Sequence, residues 1–181
     1  MLYTEAKQYL LDKLQEAGLK SNPYTTRKSL EKSLESHVGA VLFERETYVR
    51  DGSKKLFRDE EGAQHKRRKV FERSLTFTVI VGDYSDDRAE ALFEKFIAAL
   101  DAGIYVDGNF APITIDGADW VDKDDSILKA QVAVQAGITF SGGVYRDTDF
   151  TPLSHVEIVD IENEKGESAD GQQNKQAGGI A

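Results

Sequence analysis

KVFERSLTFTVIVG, residues 69–82, alternates residue by residue: Phe71, Arg73, Leu75, Phe77, Val79 and Val81 fall on one side, and Glu72, Ser74, Thr76 and Thr78 on the other. A period of two is the mark of a strand in a sheet with one buried face. Upstream, HVGAVLFERETYVR (37–50) is rich in β-branched and aromatic residues and predicts a second strand. The stretch between them, 51–68, is charged and opens on Asp51-Gly52, so it is expected to be an extended charged loop at the end of a hairpin. At about 3.3 Å per residue each arm of that hairpin reaches about 40 Å, longer than a compact domain needs.

Helices flank this pair. Leu2, Ala6, Tyr9, Leu10, Leu14 and Ala17 recur at helical spacing over 2–17, and Gly18 stands where a C-terminal cap belongs. The polar segment 19–36, with its Asn22-Pro23 turn signal, has room for a short helix over Arg27–Leu34. The strongest helix pattern is 86–102. Ser85 is placed as its N-cap, Asp86 and Asp87 complement the dipole of its first turn, and Gly103 ends it. Its stripe of Ala89, Leu92, Phe93, Phe96, Ile97 and Leu100 is wide enough to pack on a sheet.

A hairpin follows, Ile104–Val106 and Phe110–Ile115 around Asp107-Gly108-Asn109, with Pro112 placing its second arm at an edge or a bulge. An acidic loop is expected over Asp116–Asp125 and an alternating strand over 127–141, broken by Gly142-Gly143. A last strand is expected over 155–161. From Glu162 to Ala181 the chain loses its apolar residues and reads as a disordered polar tail. Strands gather in runs and do not alternate strictly with helices. The expected fold is therefore α+β: one domain over 1–161, with a mostly antiparallel sheet, an N-terminal helix and a central amphipathic helix on one face, and a long projecting β-hairpin.

The 181 residues suffice for a core without covalent staples. There is no cysteine, which excludes disulfides, thiolate zinc sites and cysteine nucleophiles. No run approaches the ~18 apolar residues of a membrane helix, and no membrane association is expected. The net charge of −9 disfavours non-specific nucleic-acid binding by the surface as a whole. The distribution is uneven, however. Residues 51–69 carry seven Lys or Arg against Asp51, Asp59, Glu60 and Glu61, a local +3.

The chemistry-bearing residues form no catalytic pattern. The strand-to-helix junction Val81-Gly82-Asp83-Tyr84-Ser85 has one glycine and an acid where a phosphate loop needs several glycines. His37, His65 and His155 are dispersed and read as strand-end or loop histidines. Asp116, Asp119, Asp122, Asp124 and Asp125 lack the glycine and terminal glutamate of a calcium loop and read as a solvated acidic segment. No catalytic residue, cofactor or metal is expected. Lys66, Arg67, Arg68 and Lys69 form the candidate site, a basic loop facing a partner or DNA, or else balancing Glu60 and Glu61 at a subunit boundary. Trp120 is either a core anchor or a contact for a neighbouring subunit.

The order of elements resembles the tail terminator, or tail completion (neck), proteins of tailed bacteriophages. The likeness runs through HVGAVLFERETYVRDG, HKRRKVFERSLTFTVIVGD, DDRAEALFEKFIAALDAGI and ILKAQVAVQAGITFSGGVYRD, over roughly residues 1–161. The resemblance implies a homo-oligomeric ring, usually of six subunits, at the head–tail junction of the virion, made in the bacterial cytoplasm. It would cap the tail tube, stop its polymerisation and meet the head-side connector, with DNA passing its lumen. The function implied is structural and not enzymatic. The alternative is a small adaptor that recognises a protein partner by strand addition.

Overall fold

The central alternating stretch forms the longest strand of the molecule. In the computed structural model, which describes residues 1–59, 61–122 and 132–149, β3 runs over Gln64–Asp83. It pairs antiparallel with β6 (Val132–Asp149) along nearly its whole length, from Asp83↔Val132 to His65↔Asp149. Its other edge is lined by two strands in succession: β1 (Val38–Arg50) opposite Gly82 to Phe71, then β2 (Lys54–Arg58) opposite Arg68 to Gln64. Two further strands complete the sheet, β4 (Gly103–Val106) and β5 (Asn109–Asp122), in the spatial order β1-β3-β6-β5-β4. All strand pairings are antiparallel.

Helix α1 (Leu2–Glu16) buries Leu2, Ala6, Leu10 and Leu14, the stripe its sequence spacing dictates. Its end is a Schellman motif. Gly18 takes φ +111°, its N–H donates to Gln15 O, and Leu19 N–H donates to Leu14 O. Leu19 then turns inward and joins the core. Helix α3 (Asp86–Ala99) packs Ala89, Leu92 and Phe96 into the same core. Both helices meet Leu75, Phe77, Val79 and Val81 of β3 and Ile138 and Phe140 of β6, so they share one face of the sheet. Ser85 is the N-cap by backbone geometry, although its hydroxyl makes no cap bond. The short α2 (Arg27–Glu31) covers the opposite face, where Leu30 packs with Val38, Ala40, Leu42, Ile80 and Ala133.

Three expectations need correcting. Segment 51–68 is not a loop. The carboxylate of Asp51 accepts from the N–H groups of Gly52 and Ser53, making a short break between β1 and β2. Strand pairing then resumes to a tight turn between Asp59 and Ala63, with Gly62 at φ +84°. High charge signalled solvent exposure there, and exposure is compatible with a strand whose two faces are both wet. Likewise Asp116–Asp122 belongs to β5, with a bulge between Ile115 and Gly117. Finally, Gly142-Gly143 does not end β6, which continues to Asp149. A Cβ on Gly142 would lie 2.5 Å from Leu2 Cδ2, so this glycine admits the first turn of α1 onto the sheet.

The hairpin of β4 and β5 turns through Asp107 and Gly108, both with positive φ, as the sequence predicted. Gly103 opens β4 and does not cap α3, which stops at Ala99. The expectations for 123–131, 155–161 and the tail 162–181 lie outside the described residues, as do Gln131 and His155.

Candidate interaction surface on the projecting arm

Burial along β3 divides it in two. From Leu75 to Asp83 nearly every residue is buried; from Gln64 to Ser74 none is. On β1 the buried run Val38–Leu42 gives way to exposed residues from Phe43 onward. The distal part of β1, all of β2 and the facing parts of β3 and β6 thus form an arm that extends past the helices. With ~3.3 Å per residue, the stretch Gln64–Ser74 alone spans about 35 Å.

The candidate residues Lys66, Arg67, Arg68 and Lys69 lie on this arm as strand residues, and the strand separates them. Register partners share a face of a sheet. Arg67 is opposite Lys55 on β2 and Asp147 on β6, whereas Arg68 is opposite Lys54 and Arg146. His65, Arg67 and Lys69 are half-buried, and Lys66 and Arg68 are exposed.

The Arg67 face is neutralised. Arg67 Nε and Nη2 donate to the two carboxylate oxygens of Asp147 at 2.7 and 2.6 Å, a bidentate pair. Nη1 reaches Asp107 O and Asn109 Oδ1, linking the arm to the β4–β5 turn. The guanidinium also lies 4.7 Å from the Phe57 ring centroid and 5.8 Å from that of Tyr145. The hydrogen bond to Asp147 raises the pKa of Arg67, and the same bond holds the Asp147 carboxyl below its usual value. Lys69 pairs with Glu72 and, at 3.9 Å, with Asp51. His65 Nε2 meets Asp59 Oδ2 at 2.8 Å, and that hydrogen bond lowers the Asp59 pKa.

The Arg68 face is different. Lys54, Arg68 and Arg146 stand directly opposite one another on three neighbouring strands. All three are exposed. None has a carboxylate partner among the described residues. The adjacent row holds Leu56, Lys66 and Thr148, with Leu56 55% exposed.

Lys54 and Arg146 were missed by sequence reasoning. A cluster built across strands has no signature along the chain, and Arg146 lay beyond the glycine pair taken as the strand's end. A continued alternation through Gly142-Gly143 would have found it.

Elsewhere the polar groups have structural tasks. His37 Nδ1 lies 2.8 Å from the buried Asp83 Oδ2, and its Nε2 accepts from Lys20 N–H at 3.3 Å. Both ring nitrogens are thereby engaged, and among the described residues no hydroxyl is bonded to the imidazole. Thr139, on the row expected to face outward, bonds Thr76 and Asp116. Trp120 is 51% exposed on β5 and does not anchor the core. Among the described residues no group of three or more His, Asp or Glu side chains is placed to hold a metal ion. No helix among them is long and apolar enough to cross a membrane.

A scan against protein-family models gives no match to this chain, and a search of curated proteins gives none.

Proposed function

We propose that this chain is a structural protein of tailed-phage assembly, a tail terminator or tail completion subunit. In this reading it closes into a homo-oligomeric ring, six-fold by resemblance, on the end of the tail tube. The ring stops tube growth and offers its far side to the head connector, in the virion at the head–tail junction. The observation that carries the reading is the arm. A multi-stranded extension whose long strand carries no buried residue from Gln64 to Ser74 gains no core of its own. Its stability has to be repaid by contacts outside the subunit, which is the requirement of a ring built from head-to-tail interfaces.

The proposal is tested by adding purified protein to polymerising tail tube protein and imaging the products. Expected are tubes capped at one end by a ring, with elongation stopped. Tubes that grow unaltered beside a protein that stays dimeric at every concentration overturn it.

A second reading has one observation in its favour. From Ile113 to Asp122, β5 has β6 on one side and, among the described residues, no strand on the other. An open edge of that length suits an adaptor that adds a partner's strand. A monomer that binds an extended peptide along β5 is what this reading requires.

A further inference from the structure

The row Lys54, Arg68 and Arg146 is a standing repulsion. Like charges directly opposite one another on neighbouring strands destabilise a sheet, and here three are aligned with no internal counter-charge among the described residues. The chain has acids in excess, 32 against 23 Lys and Arg. On the arm it uses them to neutralise the other face, through Asp147, Asp51 and Glu72. The cationic row is therefore left for a counter-charge that the described residues do not supply.

The same molecule carries a complement. On β5, Asp116 and Asp119 are exposed, and the Asp119 side chain has neither an ion pair nor a hydrogen bond among the described residues. Ile115 and Trp120, 44% and 51% exposed, lie on the same open strand. By register Asp116 and Asp119 lie with Thr139 and Gln135 on one face of β5, and Ile115 and Trp120 on the other, so what answers the cationic row is charge; on the arm, the cations have Leu56 beside them. That apolar neighbour favours a protein surface over a phosphate backbone, which has nothing for a leucine to cover.

The two patches cannot meet within one chain. Asp119 is aligned through Gln135 with Ile80, and Ile80 lies twelve residues along β3 from Arg68. In one continuous sheet that is about 40 Å. A cationic and an acidic patch held so far apart can satisfy each other only between copies, and two unlike patches that meet this way generate a head-to-tail array.

We infer that the cationic face of the arm, Lys54, Arg68 and Arg146, docks on the acidic strand β5 of a second copy of this chain, at Asp116 and Asp119. The inference rests on the ring reading above and names its interface.

Charge reversal in complementary halves tests it. Arg68→Glu/Arg146→Glu disables the arm and leaves β5 intact; Asp116→Lys/Asp119→Lys does the converse. Asp119→Lys alone serves as the milder variant, because Asp116 also accepts a bond from Thr139. Self-association is followed by light scattering, and folding by thermal melts. Each full-length variant alone is expected to associate about tenfold or more weakly than wild type. An equal mixture of the two is expected to recover association, in alternating order, since arm glutamates then face β5 lysines and native arms face native β5. Wild-type association that both variants retain, or a mixture that stays dissociated, overturns this interface and leaves the ring reading standing. Wild type that neither self-associates nor caps tubes removes both. Loss of DNA binding in the arm variant with self-association unchanged assigns the row to nucleic acid and overturns the inference.

Discussion

The two halves of β3 obey one alternation and differ in what alternates. In the body half, Leu75, Phe77, Val79 and Val81 meet the helices, fully buried, while Thr76 and Thr78 lie on the opposite face. In the arm half, Arg67 and Lys69 meet carboxylates while Arg68 has no carboxylate partner among the described residues. Dry burial is worth kilocalories per side chain, whereas exposed ion pairs are worth fractions of one. The fold's stability therefore resides in the body. The arm is held by weaker contacts, and its surface chemistry can serve a partner without endangering the core.

That contrast breaks if a body residue proves dispensable. Phe77 is fully buried, in ring contact with Tyr3, Phe43 and Phe140. Phe77→Ala is expected to cost about 3–5 kcal/mol, read from urea unfolding midpoints. A loss below about 1 kcal/mol would mean that the strand's burial is not what stabilises the molecule.

The body and the existence of a projecting hairpin were legible in the sequence, and the strands of the arm's outer part were not, for the same reason. Apolar periodicity reports burial, so the stripes of Leu10 and Phe96 and the alternation of Phe77 predict helices, strand and the face they share. The Gly18 cap and the Asp107-Gly108 turn are equally local signals. Where both faces of a strand are wet, hydrophobicity carries no period. Lys54–Arg58 and Gln64–Arg68 therefore read as loop, and Asp116–Asp122 did likewise. The candidate site was half visible. Lys66–Lys69 stood out as a run, but its division into a paired and an unpaired face depends on register, and Arg146 comes from a strand some eighty residues away.

A smaller effect sharpens the view of the paired face. Arg67→Ala removes the bidentate contact to Asp147 and the link to the β4–β5 turn. The pair is partly solvent-exposed, so a loss of about 1 kcal/mol or less is expected at neutral pH. The Asp147 carboxyl is depressed in the fold, so the unfolded chain binds its proton more readily. The pair's contribution is thus fully present above the unfolded carboxylate value of about 4 and is lost as pH falls through the lower, folded one. Wild type and variant should converge in stability on acidification. A difference that persists unchanged at low pH would assign the effect to packing on Phe57 and Tyr145.

The smallest expected change in stability is also the most informative about the unpaired face. Arg68→Gln keeps most of the side chain's length and deletes the central charge of the row. Removing a directly opposed like charge should leave stability unchanged or raise it by about 0.2–1 kcal/mol. The gain should be larger at low salt than at high salt, because added salt already screens the repulsion in wild type. A substitution that stabilises the isolated subunit while weakening its association would show that the row is kept at the fold's expense for a partner. If Arg68→Gln instead destabilises the subunit and leaves association untouched, Arg68 belongs with Arg67 as a structural residue of the arm, and the division of β3 into a stabilising half and a displaying half fails at its outer end.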